Sequence, residues 1–481
     1  MKLAALSVLS DSEIERIHDA SIDILEQVGI KVGSGRMRAF LKERGLPVDD
    51  KSGVVRITRG CIEDCVSRVP PRFEVFDREG RPLFTLGDGV PRIAAGHNAV
   101  FWVDSDTGAT RPSTVADVEQ FARLCEGLSD IDVIGIPVMP QNVPDPRATL
   151  LYGVRACIAN SRKPIFFSTD RPEINRAIME MLDAAFAGDL HTQAYGIGQL
   201  SPTSPLFWEA SVLDALEDTV RFGVPLAILP EPNAGVSCPY TLAGLITMDN
   251  AEWLSGMVMT QLLRPGAPIM YANSWTMTDM RNGCALVGSA ETTVCRIAGA
   301  QLARRYHVPS HTTAPNSDNH AHDEQNAWEK ALSQFCAVAA GNDLIVNCGM
   351  FATGMTCSHE QLLMDEEMSA IVRRIACGIQ VGDATIAKDT IIELGPHNPA
   401  YLTAPHTLEW LHSDEYVAPR LSVRCPRAVW EAAGAKDTYQ VARDRVRMFA
   451  QEPPAAQLDQ KRLCAVEAIV AQSAQTFRRE K

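Results

Sequence analysis

From Ser113 onward, short apolar runs of β character alternate with longer stretches of helical character, and this alternation restricts the chain to a parallel sheet built from repeated βα units. The runs at residues 133–138, 164–168, 194–198, 226–230, 269–272, 310–313 and 344–349 read as strands, and residues 115–125, 172–186, 208–222, 242–263, 291–306 and 324–340 as the crossover helices. An eighth strand, from residues 93–96 or 99–103, closes them into a (β/α)8 barrel of about 270 residues. A doubly wound open sheet is the competing architecture, but no Gly-x-Gly-x-x-Gly opens a helix near the start. The expected fold is therefore α/β, a (β/α)8 TIM barrel spanning residues 113–382.

The flanks have a different texture. Ile14, Ile17, Ser21, Ile24, Leu25 and Val28 follow the helical period, with Ser10 and Glu13 as a capping box and Gly29 as the stop. Short β pieces at 53–57, 73–76 and 98–104 follow, so residues 1–112 read as an N-terminal cap of helix and β-hairpins. Residues 383–481, with Pro396, Pro399, Pro405, Pro419 and Pro426, read as a C-terminal extension of helices and a wrapping arm.

Composition narrows the classes of function. Of 481 residues 46% are hydrophobic and 22% charged, as in folded globular proteins. The 45 Lys and Arg against 59 Asp and Glu leave a formal charge of −14, which speaks against a nucleic-acid footprint. No uncharged apolar run reaches the roughly 18 residues of a membrane span, and the apolar start from Met1 to Ser10 is too short for a secretory signal, so the expected location is cytoplasmic. Thirteen cysteines without a small-domain framework suit reduced thiols; Cys61 and Cys65 have a possible metal spacing but no second pair beside them.

In a parallel barrel the chemistry sits at the carboxyl ends of the strands, and there the sequence is rich in polar residues. Gln199, Glu231 with Asn233, the run from Tyr271 to Gly283, the run from Asn316 to Gln325, and the run from Met350 to Glu360 follow successive strands. Two chemistries fit this set. His320 and His322, with Asp323, His311 and His359, carry zinc-ligand atoms for metal-dependent hydrolysis or transfer, unless their loop merely hydrogen-bonds. Alternatively Tyr195, Tyr271, Trp275 and Phe351 supply aromatic faces for a quaternary ammonium ion, unless they are core residues. Arg281 beside Asp279 suits a bidentate carboxylate contact or an ion pair with that neighbour. Cys357 near His359 reads as a buried thiol before it reads as a nucleophile. There is no Gly-x-Ser-x-Gly, phosphate loop or His-Glu-x-x-His.

The order and spacing of several short motifs carry a resemblance. They include Ile14 to Gly29, Ser201-Pro-Thr-Ser-Pro-Leu206, Asn250-Ala-Glu252, Asp279-Met-Arg-Asn-Gly283 and Ser289-Ala-Glu291. Asp323-Glu-Gln325, Ser358-His-Glu-Gln-Leu362, Pro419-Arg-Leu421 and Trp430-Glu431 continue the series. Over nearly its whole length the chain resembles the trimethylamine methyltransferase family, in the branch without pyrrolysine that includes glycine betaine:corrinoid methyltransferases.

The resemblance implies a barrel that moves a methyl group from a methylated amine to the cobalt of a corrinoid (cobalamin) on a separate small protein, with no tightly bound cofactor of its own. In trimethylamine-specific members pyrrolysine lies on the loop after the sixth strand run, near His320 here, which makes His320 the expected catalytic position. A standard residue there favours a quaternary amine such as glycine betaine over trimethylamine, because displacing a neutral tertiary amine needs no general acid. The expected substrate-binding set is Tyr195, Gln199, Glu231, Asn233, Tyr271, Trp275, Asp279, Arg281, Phe351 and His359. The histidine-rich loop departs from the branch and keeps zinc at His320 and His322 as an alternative. Free cobalamin or a folate as acceptor, and a non-catalytic betaine-binding barrel, are further alternatives; a homo-oligomer is expected from symmetry base rates alone.

Overall fold

The computed structural model describes residues 6–168, 171–397 and 399–479; the first five residues of the apolar start lie outside them. Eight parallel strands form the central sheet: β1 Arg92–Ala95, β2 Ile134–Gly135, β3 Ile165–Ser168, β4 Gly196–Leu200, β5 Leu226–Ile228, β6 Ile269–Asn273, β7 Ser310–Thr313 and β8 Leu344–Cys348. β8 pairs with β1, placing Ile345 against Ile93, and a bridge from Ala94 to Val133 joins β1 to β2, so the sheet closes into a (β/α)8 barrel. Of the two sequence candidates for the eighth strand, the upstream one fills the place, and it lies within the segment read as cap. The other, Phe101–Val103, joins a small separate sheet with Thr356–Cys357 and Thr110–Pro112. Gly135 is required at the closure, because a β-carbon there would stand 2.6 Å from the Ala95 carbonyl oxygen.

Strand alternation sorts the side chains. Ala94, Phe166, Ile197, Ala227, Met270, Ala272, Leu344 and Val346 fill the barrel interior, while their neighbours face the helices. Those helices are α2 Val115–Gly127, α3 Thr149–Asn160, α4 Pro172–Ala185, α5 Ala210–Phe222, α6 Leu242–Leu263, α7 Ala290–Tyr306, α8 Glu324–Ala339 and α9 His359–Cys377. Preceding them, helix α1 Asp11–Gln27 starts at the Ser10–Glu13 capping box expected from sequence and packs along α6. Covered on both sides, α6 buries sixteen of its 22 residues. The hairpin of Phe73–Phe76 and Pro82–Leu86 closes the amino-terminal end of the barrel, driving Val75 and Leu86 into the interior cluster.

Several of the motifs named above hold these elements in place. Glu252 on α6 accepts hydrogen bonds from Ser204 Oγ at 2.6 Å and the Leu206 amide at 2.7 Å, so Asn250-Ala-Glu252 anchors the Ser201–Leu206 loop. Asn250 accepts from Tyr306 Oη at 3.0 Å and donates to Ser21 Oγ at 2.9 Å, tying helix Asp11–Gln27 to α6 and α7. Ser289, Asp323 and Ser358 cap the amino ends of α7, α8 and α9.

Beyond α9 the chain runs as an arm of short helices, Asp383–Ile386, Lys388–Leu394, Pro405–Trp410 and Arg427–Ala432, which bury none of their described residues. It then packs Thr438–Phe449 on α9 and Gln460–Arg479 on α4. No described helix is long and apolar enough to cross a membrane.

Candidate functional site

At the carboxyl ends of β1 to β5 the barrel opens into a cavity of about 480 Å³. Its wall includes Asn98 after β1, Met139 after β2, Ser168 at the end of β3, Gln199 and Ser201 around the end of β4, and Glu231 beyond β5. Arg147 and Arg171 stand on its rim, Arg147 held by Asp145 at 2.9 Å and Arg171 4.0 Å from Glu173. The cavity belongs to the strands' inward register: Phe166 and Ile197 fill the interior, and two residues on, Ser168 and Gln199 reach the mouth. Gln199 Nε2 donates to Ser168 Oγ at 3.4 Å, and its carbonyl oxygen has no hydrogen-bond partner among the described residues.

Glu231 is the acidic group of the described lining. Its carboxylate opens onto the cavity, where solvent reaches it and the cavity wall desolvates it in part. That desolvation pushes its pKa up to about 7, and a hydrogen bond with Ser274 offsets only part of the shift. Below the cavity, the His311 ring stacks on Phe166 at 5.2 Å between centroids and His97 meets the same ring edge-on at 5.0 Å. Desolvation pushes His311 down to about 3 and His97 down to about 4, so both imidazoles are neutral at working pH. Neither nitrogen of His311 has a hydrogen-bond partner among the described residues.

The structure brings only part of the expected set together. Gln199 and Glu231 share the cavity. Asn233 and Asp279 belong to a three-stranded sheet outside it, formed by Asn233–Ala234, Thr276–Asp279 and Cys284–Leu286, and Arg281 lies in the turn between the last two of these strands. There Asn233 accepts from Thr278 Oγ1 at 2.6 Å, and Arg281, with its side chain 89% exposed, grips Asp279 at 2.8 Å. Arg281 thus takes the neighbouring-ion-pair reading, and it raises no barrier or handle inside the cavity.

The aromatic cage does not assemble. Tyr195 precedes β4 at the amino-terminal end of the barrel and stacks on Phe186 at 5.3 Å. Tyr271 faces outward because Met270 and Ala272 face inward; it packs on Trp253 and approaches Asp249 and Asn250 with its hydroxyl at 3.4 and 3.3 Å. Trp275 is 2% exposed and lies over Gly299 of α7. Phe351 is buried with Val103 and Ala352, and the described cavity lining carries no Phe, Tyr or Trp. Alternation decides these positions: an aromatic residue at a strand end reaches the mouth only in the inward register.

The histidines also separate. His320 is exposed on the loop after β7, whereas the ring of His322 stacks on Tyr439 at 4.7 Å and lies 4.6 Å from Phe351. His322 Nε2 lies 3.3 Å from Ser358 Oγ, and burial pushes the imidazole down to about 4. His359 is packed edge-on against Trp102 at 4.6 Å, with Nε2 3.2 Å from the Asp117 carbonyl oxygen. Among the described residues no group of three or more His, Cys, Asp and Glu side chains is arranged to hold a metal. Cys61 and Cys65 sit one turn apart on a helix, and burial drives the Cys357 thiol far above its ordinary pKa, away from the reactive thiolate.

Behind the mouth, Lys330 of α8 and Asp365 of α9 form a fully buried ion pair at 3.1 Å. Lys330 also donates to the carbonyls of Pro315 and Met350, and Asp365 accepts from the Gly349 amide at 2.7 Å. One pair therefore holds the loops that follow β7 and β8. His97, Ser168 and the two rim arginines escaped the sequence reading, and Ser274 entered it only within the run from Tyr271 to Gly283; inward parity from Phe166 is the signal that marks Ser168.

Comparison with known proteins fixes the lineage. The chain is 30% identical over 439 residues to a trimethylamine methyltransferase of Desulfitobacterium hafniense, covering 91% of this chain and 88% of that one. It is 27% identical to a glycine betaine methyltransferase of the same species, covering 98% of both. The solved monomethylamine methyltransferase of Methanosarcina barkeri shares the fold, with a TM-score of 0.51 at 13% identity over 92% of this chain and 88% of that one. A family model described as trimethylamine methyltransferase matches residues 1–477, and the chain belongs to that family.

Proposed function

We propose that the mouth cavity binds the methylated ammonium end of a quaternary amine beside Glu231, and that a methyl group leaves from there to a corrinoid carried by a partner protein. Family membership makes the chain a methyltransferase. Glu231 carries the substrate assignment: a carboxylate beyond β5 that opens onto the cavity shared with Gln199 is a counter-charge for a cation that donates no hydrogen bond. The glycine betaine methyltransferase among the relatives supports a quaternary amine.

The corrinoid supplies the nucleophilic metal; the chain supplies position. Loss of a methyl group from a quaternary nitrogen releases a neutral tertiary amine, so no side chain has to deliver a proton. The neutral imidazoles of His97 and His311 place no positive charge under the substrate. Glu231 and Gln199 orient the cation, and the cavity walls thin the water around it, which strengthens the charge pairing. The reading assigns no zinc to His320 and His322, since the His322 ring is engaged with Tyr439, Phe351 and Ser358.

Thermal unfolding with glycine betaine, proline betaine, carnitine, choline and trimethylamine tests this. A quaternary amine at a hundred times its Kd adds about 2.7 kcal/mol of stability. Its affinity rises with pH through about 7 as Glu231 ionises, and Glu231→Gln removes both the shift and that pH dependence. The fold itself responds in the opposite sense. With its pKa raised from 4.5 to about 7, Glu231 contributes stability that is complete below pH 4.5 and lost as pH rises through 7. A quaternary-amine shift untouched by Glu231→Gln, or no shift with any of the five, sinks the assignment.

A further inference from the structure

We propose, resting on the placement of the ammonium group beside Glu231, that Arg171 and Arg147 bind a carboxylate at the other end of the substrate. The cavity then selects quaternary ammonium carboxylates whose two charges are separated by an apolar chain. Among the described lining residues only Glu231, Arg147 and Arg171 carry charge, and they stand apart. Glu231 lies three residues beyond β5, Arg171 three residues beyond β3, and Arg147 on the loop after β2. Neighbouring strands are about 4.8 Å apart, so the backbones at Glu231 and Arg171 are on the order of 10 Å from each other, with Arg147 one strand further round. A cavity for a cation alone would gain nothing from two guanidinium groups on its approach, since they repel the ligand unless something negative meets them.

Arg147 is held in one direction. Its Nε donates to Asp145 Oδ1 at 3.1 Å and its Nη2 to Oδ2 at 2.9 Å, while the guanidinium lies 5.6 Å from the ring centroid of Phe477 and donates to the carbonyl oxygen of that residue. Asp145 is 4% exposed and outside the described lining, so it orients Arg147 without presenting a carboxylate to the cavity. Phe477 belongs to the last helix, which therefore buttresses the rim from the far end of the sequence. Arg171 stands at the N-cap of α4, where the positive end of the helix adds to its own charge.

The wall and the volume call for a chain between the charges. Met139, Leu150, Ile174, Leu200 and Val212 give the cavity an apolar lining that a substrate with adjacent charges would leave uncovered. At the ~30 Å³ of a water molecule, about 480 Å³ holds roughly sixteen heavy atoms, and glycine betaine has about half that number.

Calorimetric titration of the full-length chain with 4-(trimethylammonio)butanoate, its methyl ester and glycine betaine tests both parts. The acid should bind about tenfold or more tightly than the ester, which has the same head group and chain, and more tightly than glycine betaine. Arg171→Gln and Arg147→Gln should each lower the acid-over-ester ratio about threefold or more, and the double variant should bring it close to one. Melting temperatures show which variants are folded, and Arg171→Gln, whose side chain is 46% exposed, carries the test if Arg147→Gln is not. A wild-type ratio near one, or a ratio that the arginine variants leave in place, overturns the proposal, and glycine betaine binding as tightly as the longer acid overturns the chain between the charges. Failure of the ammonium site reads differently: Glu231→Gln then leaves binding of the acid intact while the arginine variants still lose the ratio. No binding of any of the three overturns both.

Discussion

At the amino-terminal end of the barrel, Val75 and Leu86 of a hairpin close the interior among Ala94, Val133 and Leu344, and the filling is apolar. At the opposite end Gln199, Glu231, Asn98 and Ser168 surround open space, and buried polar atoms of Asn98 and Gln199 lack hydrogen-bond partners among the described residues. One sheet thus ends in a packed plug on one side and in unspent hydrogen-bonding capacity on the other. The difference teaches where substitutions will be read: the plug in stability, the mouth in binding.

The largest expected effect comes from the ion pair behind the mouth. Lys330→Met leaves Asp365 as a buried charge without its partner and should cost about 3–5 kcal/mol of unfolding free energy, measured in urea. A loss under 1 kcal/mol would mean that the loops after β7 and β8 are held by other means. Next, Leu86→Ala opens a cavity in the plug and should cost about 2–5 kcal/mol, while methyl transfer per folded molecule stays at the wild-type value. A fall in transfer by the folded fraction would break the division between the two ends. The smallest effect belongs to Arg281→Ala: with the guanidinium outside the cavity, melting temperature and affinity for a betaine should both match the wild type. Weaker betaine binding, measured by calorimetry, would extend the functional region to the outer three-stranded sheet.

The barrel was legible in the sequence because βα alternation is a local signal repeated many times. Its first strand was only half legible, since residues 93–96 and 99–103 look equally extended and only pairing with β8 separates them. Gln199 and Glu231 could be named because residues just beyond strand ends project toward the mouth. Tyr195 and Tyr271 were misplaced for the same rule applied without parity: Tyr195 lies before its strand, and Tyr271 falls on the outward phase. His322 looked like half of a metal pair, and its actual partner, Tyr439, comes from the distant C-terminal segment. Spacing cannot report such a contact.

The closure of β1 on β8 also sets a timetable for the nascent chain. Arg92 waits for Leu344 to be synthesised before its pairing partner exists. On a ribosome adding about 5–20 residues per second, that interval is on the order of ten seconds or more. Throughout it Ile93 sits on an open strand edge, the surface most prone to wrong pairing. Truncations that stop before β8 should therefore aggregate, whereas losing the last helix leaves the ring of strands able to close.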